Sequence, residues 1–215
     1  MASTEYRQSP LHDLADRLGL ASEFPERIRL AEVPFLTQLT LRLNPGASAA
    51  RAAARVLGVN LPTAPNTTSA GGEVQVLWMG PDEWLVVAPE GAGERLCKRL
   101  EAALEGHHAS VVDVSAQRTV VEFAGADARE LLLKGCPLDL HPRAFAPGRC
   151  AQSTLARAQV VLLARSEEPA YWVFVRSSFA EYLAEWLLDA AAEYRGAPPL
   201  HVSLAVDPQL IGVPA

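Results

Sequence analysis

Cysteine is sparse in this 215-residue chain: Cys97, Cys136 and Cys150 make an odd number with no Cys-x-x-Cys pair. That argues against a disulfide framework and for reduced thiols in a reducing compartment. Lysine is scarcer still, with only Lys98 and Lys134, and the arginines are scattered through a chain of net charge -6. Neutralising phosphates takes clustered cations, so a nucleic-acid partner is not expected. No apolar stretch approaches the ~18 residues that span a bilayer. The N-terminus has no basic stretch leading into an apolar core, as a secretory leader would. The expected location is the cytoplasm, with no membrane partner. Neither a glycine-rich dinucleotide fingerprint nor a phosphate-binding loop occurs, and there is no Gly-x-Ser-x-Gly elbow. Independent nucleotide or acyl-transfer machinery is thereby excluded.

What remains is a composition that folds: 49% hydrophobic and 20% charged residues, enough to bury a core in one large domain or two small ones. Ser9 and Pro10 suit the opening of an amphipathic helix that Gly19 closes. A weak strand at Arg27 to Val33 leads into a stronger one at Phe35 to Leu43. An Ala-rich helix, Ser48 to Leu57, stops at Gly58, and the Pro/Thr/Asn/Gly stretch Pro62 to Gly72 reads as a loop. Val74 to Met79 and Trp84 to Ala88 form a hairpin around Gly80 to Glu83. A helix near Ala92 to Glu105 and a strand at Ser110 to Val114 complete the set.

The same order then recurs. Strand Thr119 to Phe123 precedes a helix with Asp127 as cap, Glu130 three residues on and Gly135 at its end. After a long connection come strands Gln159 to Ala164 and Tyr171 to Val175, then a helix to Tyr194 opened by the capping box Ser178 and Glu181. His201 to Val206 is expected as a last strand. Strand, helix, strand, strand, helix, strand twice over predicts an α+β fold of two pseudo-repeated ferredoxin-like units, with antiparallel or mixed sheets, helices on one face and one shared core. The expected division is an N-terminal helix and extension over 1–34, a first unit over 35–115 and a second over 116–215, packed as one compact domain.

The segment Val111 to Cys150 carries the residues that could do chemistry. Cys136, Asp139 and His141 offer nucleophile, acid and base within six residues, but catalytic Cys and His usually meet through the fold rather than along the chain. The favoured reading is a packed irregular segment in which Asp and His bind neighbouring backbone. Cys136, His141 and Cys150 have zinc-compatible side chains but no evident fourth ligand, and the adjacent His107 and His108 would point to different sides of a regular element. Asp82 and Glu83 suit a hairpin turn. Cys97 and Trp78, Trp84, Trp172 and Trp186 lie on core patterns and are expected to pack.

Met79 to Val87, Val111 to Gly125, Lys134 to Phe145, Cys150 to Leu162 and Tyr171 to Leu187 together resemble the gamma subunits of heterotetrameric sarcosine oxidases. The likeness covers most of the chain and is weakest over 62–72 and after Arg195. Asp113-Val114-Ser115, followed by Gly125-Ala126-Asp127-Ala128 and Leu131-Leu132, is also similar to the broader folate-binding aminomethyltransferase superfamily, which is built from ferredoxin-like units.

The resemblance implies a non-catalytic structural subunit, partnered by alpha, beta and delta chains, of an oxidoreductase of sarcosine catabolism. That complex demethylates sarcosine oxidatively to glycine, makes hydrogen peroxide and can pass the one-carbon unit to tetrahydrofolate. FAD, FMN, NAD, zinc and tetrahydrofolate would sit on the other subunits, with no cofactor in this chain. The superfamily's Asn-Gly-bearing strand and essential Asp have no counterpart: Asn44, Asn60 and Asn66 are the asparagines, none followed by Gly. No catalytic, cofactor-binding or metal-binding residue is therefore assigned. The alternative is a free-standing folate-binding or Cys136-dependent protein of the same fold. Lys134-Gly135-Cys136 resembles the start of a motif in folate-binding proteins of iron-sulfur assembly, although Pro137-Leu138 departs from its continuation.

Overall fold

A computed structural model describes residues 7–20, 26–166 and 168–194. Its helices are α1 (Ala15–Leu20), α2 (Ser48–Leu57), α3 (Gly93–Ala103), α4 (Ala128–Leu133) and α5 (Ser177–Ala191). Ten strands accompany them: β1 (Arg29–Val33), β2 (Thr37–Leu43), β3 (Thr68–Gly71), β4 (Val74–Gly80), β5 (Glu83–Ala88), β6 (Ala109–Asp113), β7 (Arg118–Ala124), β8 (Cys150–Leu155), β9 (Ala158–Ser166) and β10 (Ala170–Arg176). They form two five-stranded sheets, ordered β3-β4-β5-β2-β6 and β8-β9-β10-β7-β1. Every neighbouring pair is antiparallel.

The two orders correspond position by position, so the duplication inferred from the sequence is realised as two α+β layers. In the first sheet Leu39, Leu41, Trp84 and Val86 face Ala49, Ala53, Leu57, Leu96 and Leu100 of α2 and α3. In the second, Val121, Phe123, Leu162 and Val173 meet Leu131 and Leu132 of α4 and Leu183 and Leu187 of α5, with Leu18 of α1 in the same cluster. Because strand side chains alternate in direction, the residues between these point the other way. Leu77, Leu85 and Val87 thus pack face to face with Val120, Val161, Leu163 and Phe174 in a seam between the sheets. The layers run helix, sheet, sheet, helix. Strands buried on both faces explain the near-continuous apolar runs of β5, β9 and β10.

Several expectations need correction. Phe35 does not open β2: it sits at φ 61°, a turn conformation that interrupts the extended chain before Thr37. Gly19 lies inside α1 rather than at its end. The 62–72 loop contains β3, and the long connection before β9 contains β8. The last helix begins at Ser177 with Arg176 as its N-cap and no side-chain cap bond, so the Ser178–Glu181 capping box is not formed. Asp127 is the N-cap of α4, but no side-chain cap bond forms there; its carboxylate instead accepts from Arg27 Nε at 2.6 Å. The strand expected at 201–206 lies outside the described residues.

Candidate functional site

The segment from β6 to β8 starts at the crossover between the halves, runs through α4 in the core of the second and returns to the seam at Cys150. Asp113, at the end of β6, accepts hydrogen bonds on Oδ1 from the Ser115 amide (2.9 Å) and hydroxyl (2.6 Å), and Ser115 Oγ accepts from the Gln38 amide at 3.0 Å. This Asx turn fastens the crossover between halves to β2. The other Asp113 oxygen lies so close to Gly93, at the N-terminus of α3, that an added Cβ would approach it to 2.6 Å. A carboxylate there complements the positive end of the helix.

Gly125-Ala126-Asp127 is a second joint. The amides of Ala126 and Asp127 donate to Glu26 O (2.9 Å) and Arg27 O (3.0 Å), and Gly125 N donates to Pro169 O at 3.0 Å. Gly125 sits at φ 121°, and a Cβ would meet Arg27 O at 2.3 Å. Only glycine combines that conformation with so close a backbone approach.

Lys134-Gly135-Cys136 is a third. Lys134 Nζ donates to Ala190 O at 2.7 Å and pairs with Glu193. Gly135 lies under the Trp186 ring, which an added Cβ would meet at 2.7 Å, and its carbonyl accepts from Ala156 N at 3.0 Å. Cys136 is buried, with Sγ 3.9 Å from Ser153 Oγ.

Asp139 and His141 are exposed and bind backbone. Asp139 Oδ1 accepts from His141 N at 2.9 Å, and His141 Nδ1 accepts from Arg143 N at 3.2 Å. The polar partner of Cys136 is thus a hydroxyl on β8, while those of Asp139 and His141 lie within their own loop. The structure does not assemble these three residues into a nucleophile and its base.

Cys150 belongs to the seam. Its Sγ donates to Thr67 O (3.5 Å) and Trp78 O (3.6 Å) of the first half, and burial pushes its thiol up to about 11. Such a thiol stays protonated at neutral pH and is a poor nucleophile. Cys97, partly buried on α3, is also shifted upward, by burial first and then by Asp113 and Glu101. Among the described residues no three His, Cys, Asp or Glu side chains lie close enough together to hold a metal ion. His107 and His108 are exposed after α3.

The tryptophans bind protein groups. Trp84 Nε1 donates to Pro62 O at 2.8 Å and Trp172 Nε1 to Glu122 at 3.1 Å, while the Arg165 guanidinium lies 3.8 Å above the Trp172 ring centroid. Arg42 pairs with both Asp82 (3.2 Å) and Glu83 (3.8 Å) at the hairpin. The residues that first suggested chemistry take part in joints, turns and packing. The sequence reading passed over Arg118 and Arg176, which β-sheet register brings opposite one another.

Residues 44–193, which include Asp113, Gly125 to Asp127 and Lys134 to Cys136 of these joints, match the model of the sarcosine oxidase gamma subunit family. The chain belongs to that family. It is 42% identical over 193 residues to a sarcosine oxidase subunit gamma from an Arthrobacter species, covering 89% of this chain and 93% of that one. It is 40% identical over 197 residues to the subunit gamma of Corynebacterium strain P-1, covering 91% and 95%. The heterotetrameric sarcosine oxidase of Corynebacterium U-96, solved with pyrrole 2-carboxylate, superposes with a TM-score of 0.83 at 38% identity, covering 90% of this chain and 98% of that one. An aminomethyltransferase T of Bartonella henselae shares the fold, with a TM-score of 0.66 at 15% identity over 88% of this chain and 58% of that one. No described helix is long and apolar enough to cross a membrane.

Proposed function

We propose that this chain is the gamma subunit of a cytoplasmic heterotetrameric sarcosine oxidase, assembling with alpha, beta and delta chains and acting as scaffold rather than catalyst. The observation that carries this reading is the superposition on 98% of a chain of such an oxidase. The assembled enzyme demethylates sarcosine to glycine with production of hydrogen peroxide and transfer of the one-carbon unit to tetrahydrofolate.

FAD, FMN, NAD, zinc and tetrahydrofolate belong to the partner subunits in this reading. For zinc, the donor set supports that division. The described Cys, His, Asp and Glu side chains do not gather in threes, and Cys150 is committed to carbonyl oxygens across the seam. The superfamily's Asn-Gly strand has no counterpart among Asn44, Asn60 and Asn66.

Co-expression with the alpha, beta and delta chains tests the proposal. Stoichiometric co-purification with an active oxidase is expected, and recovery of this chain only as a free monomer overturns it. The free-standing alternative makes an opposite prediction, saturable binding of a reduced folate by the chain alone and its loss in Cys136→Ser.

A further inference from the structure

Arg118 and Arg176 are directly opposite one another on β7 and β10. Two residues before Val120 and two after Phe174, both lie on the face that makes the seam, just beyond its apolar cluster. Like charges directly opposite on neighbouring strands repel. Among the described residues no carboxylate lies within ion-pair distance of either, whereas Arg7, Arg17, Arg27, Arg29 and Arg42 each have one. The charged group that acts on Arg118 from the first sheet is Glu83, which is itself paired with Arg42. Two positive charges without a direct ion-pair partner therefore sit together in a chain of net charge -6.

They line one cleft of about 320 Å³ with Gln152, Thr154 and Gln159. Strand alternation puts these three side chains on the same face, because Cys150 and Val161 of β8 and β9 point into the seam. Gln152 Nε2 donates to Met79 O at 2.8 Å, which ties the wall of the cleft to the first sheet. Arg176 is also the N-cap of the 15-residue α5, whose first turn holds no acidic residue, so the helix dipole adds to the positive potential.

We propose that Arg118 and Arg176 form an oxyanion-binding site at this mouth of the seam, taking a carboxylate or phosphate group between their guanidinium forks. Planar guanidinium pairs with such groups in bidentate fashion, and Gln159 and Thr154 supply neutral donors beside it. The oxyanion is either a free small anion or a carboxylate side chain of a partner subunit, the second source resting on the subunit reading above.

Inorganic phosphate is the probe, titrated into the full chain against chloride at matched ionic strength, with thermal unfolding and 31P line broadening as readouts. Wild type is expected to gain a rise in Tm of about 2–4 °C that grows with the logarithm of phosphate concentration, with 31P broadening that saturates. R118Q/R176Q is expected to lose both the rise and the broadening, while R118Q alone melts no lower than wild type without phosphate because a repulsion has been removed. Equal phosphate responses in wild type and the double variant overturn the site.

The co-expressed complex separates the two sources. A retained phosphate response there means a free anion. A lost response, with R118Q/R176Q assembling at least several-fold less well than wild type, means a partner carboxylate. Failure of the subunit reading appears instead as no complex at all, and leaves the phosphate result on the free chain standing.

Discussion

The two halves share one topology, but they fill the strand position beside their first strand differently. In the first half β6 pairs with β2, and α3 leads directly into it. In the second, the place beside β7 is taken by β1, from the opposite end of the sequence. The closing pair of the first half spans about seventy residues and that of the second about ninety. Their loop-closure costs are therefore nearly equal, and what sets the second apart is its anchor, where Gly125 to Asp127 hydrogen-bond the chain entering β1.

The largest expected effect comes from attacking that anchor. Gly125→Ala places a methyl group 2.3 Å from Arg27 O at a φ of 121°, and neither backbone segment can yield without losing its hydrogen bonds. A loss on the order of 3 kcal/mol in urea unfolding is expected. The counterpart in the first half is Gly93→Ala, which meets a side-chain oxygen of Asp113. A carboxylate can rotate away, and alanine suits a helix better than glycine by up to about 1 kcal/mol, so the net loss should stay under about 1 kcal/mol. Equal losses at both positions would remove the claimed difference between the halves.

What the sequence made legible is alike in the two halves. Strands buried on both sides, such as β5 and β10, carry enough apolar residues to be seen, as do the amphipathic helices. The edge strands β3 and β8 escape a sequence reading because of their composition, since β1 and β6, which also pair on one side only, are legible from theirs. Thr68 to Gly71 offers no apolar alternation, and Cys150 to Leu155 puts Gln152, Ser153 and Thr154 in its middle. The pairing of β1 with β7 was invisible for a different reason: register between distant segments is set by tertiary packing, which local pattern does not encode. At the candidate site, the spacing of Cys136, Asp139 and His141 showed composition but not direction. Their hydrogen bonds run to Ser153 and to loop backbone. Arg118 and Arg176 are far apart in sequence, so nothing but register unites them.

A middle-sized effect should come from the seam that joins the halves. The Cys150 thiol is raised to about 11 from an ordinary 9 because ionising it would put charge between the sheets. The folded state thus holds the proton more tightly than the unfolded one. This contribution to stability is fully present below pH 9 and is lost as pH rises toward 11. Urea midpoints should fall more steeply over that range for wild type than for Cys150→Ala. Parallel curves would show that the seam is open to water at this point. Iodoacetamide at pH 8 should modify native Cys150 far more slowly than the same residue in urea.

The smallest expected difference lies in the ion pairs that decorate each half. Arg27 and Asp127, at the β1 anchor, are 13% and 29% exposed and 2.6 Å apart, whereas Arg42 and Asp82 in the first half are each 55% exposed. Solvent screens the second pair and leaves it worth little, while partial burial and a short charge-assisted contact strengthen the first. Asp127→Asn should cost about 1 kcal/mol and Asp82→Asn no more than about 0.3. Raising the salt concentration should barely move the first value, because screening acts least on buried charge. If the two substitutions cost the same at low salt and both effects vanish at high salt, the β1 anchor is held by its backbone bonds alone, and Arg27 contributes only the carbonyl that Gly125 accommodates.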